Sequence, residues 1–190
     1  KFKFGLDNLA GKVIYVQGFG YVGESLVSYL AKEGAEVMIS DINQERLEEV
    51  RDKYNVGIYG GKNLYSEDMD IYAPCALGAT VNDETINQLK AQVIAGAANN
   101  QLAVEAIHGK QLQEKGIVYA PDFLINAGGI INVYAEIEGY DRATIMKNTE
   151  NIYHTTLEIL SIAEQKNMTT HQAAFDVAQA RIDERKQAKA

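Results

Sequence analysis

Cysteine, basic side chains and long apolar runs are all scarce in this chain, and each scarcity closes off a class of protein. A single cysteine, Cys75, has no partner for an internal disulfide, so no disulfide framework is expected. With 18 Lys and Arg against 26 Asp and Glu, the formal net charge is −8. Nucleic-acid phosphates demand a basic surface, so no nucleic-acid partner is expected. No apolar run approaches the roughly 20 residues that cross a bilayer, and no signal-peptide pattern opens the chain; a cytoplasmic protein without a membrane partner is expected. His108, His154 and His171 share no metal-ligand spacing, and no metal site is expected. Repeats, low-complexity tracts and linkers are missing too. A length of 190 residues with 46% hydrophobic content therefore suits one domain with a good-sized core.

What the chain does have is glycine in a telling place. Val13-Ile14-Tyr15-Val16-Gln17 leads into Gly18-Phe19-Gly20-Tyr21-Val22-Gly23, and an acid, Asp41, stands 18 residues past the third glycine. The motif alone is weak, but here an apolar strand precedes it, a helical pattern follows, and a second strand ends on the acid; together these predict a dinucleotide site. Gly18 is read as the tight turn, Gly20 as the point where a pyrophosphate approaches the main chain, and Gly23 as the close helix–strand contact. Phosphates would sit on the positive end of the following helix. Asp41 would accept hydrogen bonds from the adenosine ribose and repel a 2′-phosphate, which favours NAD over NADP.

Short, β-branched apolar stretches predict strands at about Lys12 to Gln17, Glu36 to Ser40, Val56 to Tyr59, Ile71 to Ala73, Val93 to Ala97 and Ile117 to Ala120. Helical patterns lie between them: Tyr21 to Glu33, Gln44 to Lys53, Asp83 to Lys90 and Leu102 to Lys115. Gly34 and Gly116 stand where helix-terminating glycines belong. This alternation predicts an α/β fold, a Rossmann-like doubly wound parallel sheet over residues 12–130 with a C-terminal helical extension over residues 130–190. The extension reads as Ile130 to Glu138, Asp141 to Lys166 and Thr169 to Lys186, with Thr169 or Thr170 capping the last helix. Lys1-Phe2-Lys3-Phe4 has the look of an earlier helix's tail, so the chain is read as part of a longer protein.

Ligands in such folds bind beyond the carboxyl ends of the strands. The loop after the fourth strand, Pro74-Cys75-Ala76-Leu77-Gly78-Ala79, is small and suits main-chain contact or merely a tight connection. After the fifth, Ala97-Ala98-Asn99-Asn100-Gln101 gathers three amides, of which helix capping explains one. After the sixth, Asn126 is embedded between apolar residues and a glycine pair; it is a structural cap or a ligand-facing group. Plainer readings cover the rest. Cys75 has no basic setting for a thiolate, His108 reads as a solvated helix residue, and Glu45, Arg46, Glu48, Glu49, Arg51, Asp52 and Lys53 read as an exposed helix face with i,i+3 and i,i+4 pairs.

Taken in order, the blocks at Gly18–Gly23, Ser40–Asn43, Ala73–Ala79, Ile94–Leu102 and Tyr119–Val133 resemble the coenzyme-binding domain of the glutamate, leucine, phenylalanine and valine dehydrogenase family, its leucine-acting branch above all. The resemblance implies an NAD-dependent oxidoreductase that reversibly deaminates an aliphatic L-amino acid to its 2-oxo acid. It implies that Gly18, Phe19, Gly20, Tyr21, Val22 and Gly23 hold the pyrophosphate, and that Asp41 and Ile42 hold the adenosine end. Cys75, Ala76 and Leu77 would line the adenosine and ribose side, with Ala97, Asn99 and Asn126 at the nicotinamide end. The family's acid/base lysines belong to a Gly-Gly-x-Lys-Gly motif in an N-terminal substrate domain; Gly60-Gly61-Lys62-Asn63 does not match it. The chain is therefore expected to carry no catalytic residue and to bind NAD without efficient turnover, the full-length enzyme being a homo-oligomer. Thr155 and Glu158 are polar where the family's substrate pocket is apolar. A stand-alone NAD-sensing domain is the alternative reading.

Overall fold

The computed structural model describes residues 1–188. Parallel strands β1 (Val13–Gln17), β2 (Glu36–Ser40), β3 (Gly57–Ile58), β4 (Ile71–Pro74), β5 (Val93–Ile94) and β6 (Val118–Tyr119) form one sheet in the order β3-β2-β1-β4-β5-β6. Both neighbours of β1 run parallel to it: Val16 is level with Ile39 on one side and Ala73 on the other. The sheet thus reverses its order between β1 and β4, which opens a crevice at the carboxyl ends of those strands.

Strand alternation splits the core into two layers. Ile14, Val16, Val37 and Ile39 face helices α1 (Tyr21–Lys32) and α2 (Gln44–Tyr54), where they bury Val27, Leu30, Leu47 and Val50. Tyr15 and Tyr72 face the other way and pack with Ile86, Leu89, Ile94, Leu112 and Tyr119, under α3 (Glu105–Glu114). Fully burying one such aliphatic side chain contributes about 1.5–3 kcal/mol. The two layers together fix the sheet from both faces.

The crossover from β4 to β5 departs from the expected helix at Asp83 to Lys90, which is a series of turns. Asn87 and Gln88 explain this. Their side-chain amides donate to Asp83 O and Glu84 O, each at 3.0 Å, the carbonyls that a helix would give to the main-chain N–H groups of the same two residues. Only isolated turns such as Ile86 N–H to Asn82 O remain. Similarly, α3 starts three residues later than the Leu102 start predicted, because Val81 and Leu102 form a parallel bridge.

Beyond β6 come a short helix α4 (Asp122–Ile125), then α5 (Gly128–Glu138), α6 (Arg142–Lys166) and α7 (Thr170–Gln187). Caps define the long ones: Asp141 accepts from Thr144 N–H at 2.8 Å, and Thr169 from Gln172 N–H at 3.2 Å. The Thr144 bond also holds the Asp141 carboxyl below its ordinary pKa. Ile159, Ala163, Ala173 and Ala174 bury one another between α6 and α7, and Leu124 of α4 packs against them. This ties the helical extension to the sheet beside β6. Lys1–Gly5 makes one turn, closed by Gly5 N–H to Lys1 O, where a helix tail was expected. Among the described residues no helix is long and apolar enough to cross a membrane, and no group of three or more His, Cys, Asp or Glu could hold a metal ion.

Candidate functional site

Three strand ends are knotted at the crevice. Gly18 N–H donates to Ser40 O at 2.8 Å, and Cys75 N–H donates to Gln17 O at 2.7 Å, which brings the ends of β2, β1 and β4 together. Gly18 turns the chain there with φ of 96°, a left-handed value, and a Cβ on it would collide with the main chain of Ala76. A Cβ on Gly23 would collide with Gly18 O, so α1 rests directly on the strand end. Gly20 differs from both: a Cβ there would meet no atom of the protein within 4 Å. Nothing in the fold itself calls for glycine at position 20. Gly20 also caps α1 without a side-chain bond, so the main-chain N–H groups at its first turn have no capping partner and face the opening.

Phe19 lies between these glycines and behaves otherwise. Its ring is 2% exposed and belongs to the core, while its N–H donates to Asp41 Oδ2 at 2.5 Å and its carbonyl accepts from Arg46 Nε at 3.0 Å. Only the main chain of Phe19 is thus near the opening, and it is gripped at both ends. Asp41 Oδ1 accepts Asn43 N–H at 2.9 Å, which places the carboxylate at the start of α2 and beside the glycine loop. Arg46 continues to Glu24 of α1 at 2.8 Å, and Lys53 and Tyr54 reach the same carboxylate at 2.8 and 3.1 Å. The Lys53 bond, then that of Tyr54 and the two positive charges, hold the Glu24 carboxyl below its ordinary pKa. The expected pairs along α2 are therefore replaced by pairs between helices: Arg46 and Lys53 look to α1, and Arg51 bonds only its neighbour Asp52.

The rims of the opening are apolar and wet. Ile42 is 99% and Leu77 82% exposed, and Tyr21 and Val22 also stand in solvent. Leu77 belongs to the loop after β4, where Cys75 is half-buried; burial pushes its thiol pKa up, which leaves it a poor nucleophile. Ala76 lies against Gly18.

The loops after β5 and β6 meet through side chains. Asn126 Nδ2 donates to Asn99 Oδ1 at 2.6 Å, joining two residues singled out from sequence. Ala97 is half-buried beside them in sequence, and Asn100 turns with φ of 51°. Gln101 is wholly buried; its amide donates to Gly96 O at 2.6 Å and Ala98 O at 2.9 Å, and its N–H donates to Asp122 Oδ2 at 2.8 Å. Of the three clustered amides, then, Gln101 is a stitch and Asn99 is left for the opening. Thr155 is buried in α6, whereas Glu158 is turned to Arg181 of α7 at 3.0 Å. Lys62, in the Gly-Gly-Lys-Asn loop after β3, is exposed.

Sequence reasoning named Arg46, Gln101 and His108 without their contacts and passed over Asp122. His108 was expected in solvent and is 2% exposed: its Nδ1 accepts Val104 N–H at 2.9 Å and its Nε2 lies 3.2 Å from Asp83 Oδ1. Its partner Asp83 lies 25 residues away in the β4–β5 crossover, which no helical period could reveal. A further cavity, among Lys3, Leu112, Gly116, Leu160 and Asn167, involves none of the crevice residues.

Known proteins resemble this chain over most of its length. The family model for glutamate/leucine/phenylalanine/valine dehydrogenase matches residues 39–189. A leucine dehydrogenase of Bacillus cereus is 50% identical over 94% of this chain and 49% of its own length. A phenylalanine dehydrogenase of Bacillus thermotolerans is 42% identical over 94% of this chain and 48% of its own. The crystal structure of L-tryptophan dehydrogenase from Nostoc punctiforme superposes with a TM-score of 0.93 at 43% identity, over 97% of this chain and 55% of that one. The chain spans about half the length of these relatives. By its residues, its fold and these likenesses, the chain belongs to the glutamate/leucine/phenylalanine/valine dehydrogenase family.

Proposed function

We propose that this chain is the NAD-binding half of an amino-acid dehydrogenase that reversibly deaminates an aliphatic L-amino acid to its 2-oxo acid. The observation that carries the reading is the contrast among the loop glycines: Gly18 and Gly23 are required by the protein's own packing, but the space over Gly20 is empty of protein and faced by free helix-start donors. A diphosphate fits that space by charge and by hydrogen bonding. Gly18, Gly20, Tyr21, Val22 and Gly23 would hold it, with Phe19 shaping the loop, since its N–H and carbonyl are engaged by Asp41 and Arg46. Asp41 and the exposed Ile42 would take the adenosine ribose and base, opposite Cys75, Ala76 and Leu77. Ala97, Asn99 and Asn126 would meet the nicotinamide end.

NAD, when bound, supplies the acceptor for the hydride from the amino-bearing carbon. The chain's own residues bind and orient. Asn99 and Asn126 present amide groups that fix which ring face is offered, and the exposed Leu77 and Ile42 exclude water from the base. Lysines able to move the substrate's protons at neutral pH are not among the crevice residues, so this chain alone binds NAD without efficient turnover.

Hydride transfer is favoured over a nucleotide-sensing role by the Asn99–Asn126 pair, since a sensor has no use for a polar lining at the nicotinamide end. Calorimetric titration of the chain with NAD, NADP and S-adenosylmethionine tests the reading. NAD should bind more than tenfold tighter than the other two; equal or preferential binding of S-adenosylmethionine would overturn it, as would a clear steady-state rate on L-leucine the claim of incomplete catalysis.

A further inference from the structure

We propose, on the footing of the NAD reading above, that Glu24 is a specificity-determining residue: by holding Arg46 and Lys53 it denies the 2′-phosphate of NADP the cations it would need. Discrimination at this end of the crevice is expected from Asp41, but Asp41 is only one of four charges gathered there. Arg46 and Asp41 grip the carbonyl and the N–H of the same residue, Phe19, at 3.0 and 2.5 Å. A guanidinium therefore stands one residue's width from the carboxylate assigned to the ribose. Both also belong to the start of α2: Asp41 bonds Asn43 N–H, and the Asn43 side chain in turn accepts Arg46 N–H at 3.2 Å.

A cation in that place would suit a dianionic 2′-phosphate. It is not free to serve. Glu24 Oε2 takes Arg46 at 2.8 Å and Oε1 takes Lys53 at 2.8 Å, with the Glu24 side chain about one-fifth exposed at 22% and those of Arg46 and Lys53 at 35% and 59%. The two cations and the two carboxylates balance. Removing Asp41 alone ends a repulsion but leaves both cations engaged; removing Glu24 as well leaves a positive excess beside the ribose. The chain thus carries two barriers to NADP, a repulsive acid at the ribose and a second acid one layer behind it, on α1.

The test compares NADP-to-NAD affinity ratios, by calorimetry, in Asp41→Ser and in Asp41→Ser/Glu24→Gln. The serine hydroxyl can still accept Phe19 N–H. The double variant should raise the ratio at least tenfold over the single, and the gain should vanish on adding Arg46→Met and Lys53→Met, or at about 1 M salt, where the screening length is about 3 Å. A ratio no higher in the double variant, or a gain that survives loss of both cations, overturns the proposal. A fold-independent arm avoids Glu24: in the Asp41→Ser background Arg46→Met should leave the ratio within twofold, because the cation is already withheld, and a large fall would overturn the proposal equally. Wild-type chain that binds no NAD would instead overturn the underlying reading, and the two failures are distinct.

Discussion

Asn126 donates its side-chain amide to Asn99 Oδ1 across 2.6 Å, closing a gap of 27 residues at the open end of β5 and β6. The bond is held from beneath. Buried Gln101 ties Gly96, Ala98 and Asp122 together, and Asp122 opens α4, the helix on which Asn126 is the C-terminal cap. With Asn99 Oδ1 accepting from Asn126 Nδ2, the Asn126 side-chain oxygen and the Asn99 side-chain nitrogen remain available for the proposed nicotinamide contact.

Replacement of Asn126 by alanine removes one of these groups without opening a core cavity. NAD affinity should fall by about 1–2 kcal/mol, the range for a hydrogen bond lost at a ligand, which is roughly five- to thirtyfold. Binding of ADP-ribose, which has no nicotinamide, should stay within about twofold. Calorimetry with both ligands distinguishes a nicotinamide contact from a general loosening: a matched loss for both would place Asn126 in the scaffold.

The loop glycines should separate cleanly into two kinds. Gly18→Ala forces a side chain into left-handed backbone and into Ala76, and Gly23→Ala drives one into Gly18 O; each should cost about 2–4 kcal/mol in thermal or urea unfolding. Gly20→Ala has an ordinary φ of −77° and open space, so stability should change by under about 1 kcal/mol while NAD binding drops at least tenfold. Normal NAD affinity in Gly20→Ala would remove the diphosphate from this loop.

The parts of this molecule that could be read from its sequence are those governed by local period. Ile14 and Val16 alternate with Tyr15, and the run Val27, Leu30 sits at helical spacing, so β1 and α1 declare themselves within a dozen residues. The placement of Asp41 beside the glycine loop was legible because β2, which it follows, ends beside β1, which Gly18 follows, a property of parallel neighbours. The misreadings share one cause, competition from contacts that period does not encode. The side chains of Asn87 and Gln88 take the carbonyls of the expected helix, Val81 draws Leu102 out of α3, and Arg46 leaves its own helix face for Glu24.

Acid should loosen the α1–α2 pairing before it unfolds the sheet. The Glu24 carboxyl is held below its ordinary 4.5 by Lys53, Tyr54 and Arg46. A carboxyl with a depressed folded pKa contributes stability above the unfolded value and loses it as pH falls through the folded one. Wild-type stability should therefore decline below pH 4.5, and Glu24→Gln should make that decline shallower while being less stable at neutral pH. Denaturant midpoints across the acid range check this; parallel curves for the two proteins would mean that the pairing adds nothing to folding.

His108 should prove a far stronger structural link than its exposed partner. Its Nδ1 accepts the Val104 N–H at the start of α3, which leaves the proton on Nε2 to point at Asp83 Oδ1, 3.2 Å away in the β4–β5 crossover. The imidazole is enclosed, whereas the Asp83 side chain is mostly in solvent. His108→Ala leaves both a cavity and an unpaired main-chain donor, so a loss of about 2–4 kcal/mol is expected, in line with other buried truncations. Asp83→Asn disturbs only a largely screened contact and should cost under about 1 kcal/mol. The crossover held by His108 continues into the Leu77–Ala79 segment beside the glycine loop, where Ala79 N–H bonds Asn100 O and Val81 N–H bonds Gln101 O. Amide hydrogen exchange in His108→Ala should accordingly speed up at Val81 and Ala103 while β1 and β2 keep their protection, and exchange that rises uniformly would show that the link stabilises the whole domain rather than this rim of the crevice.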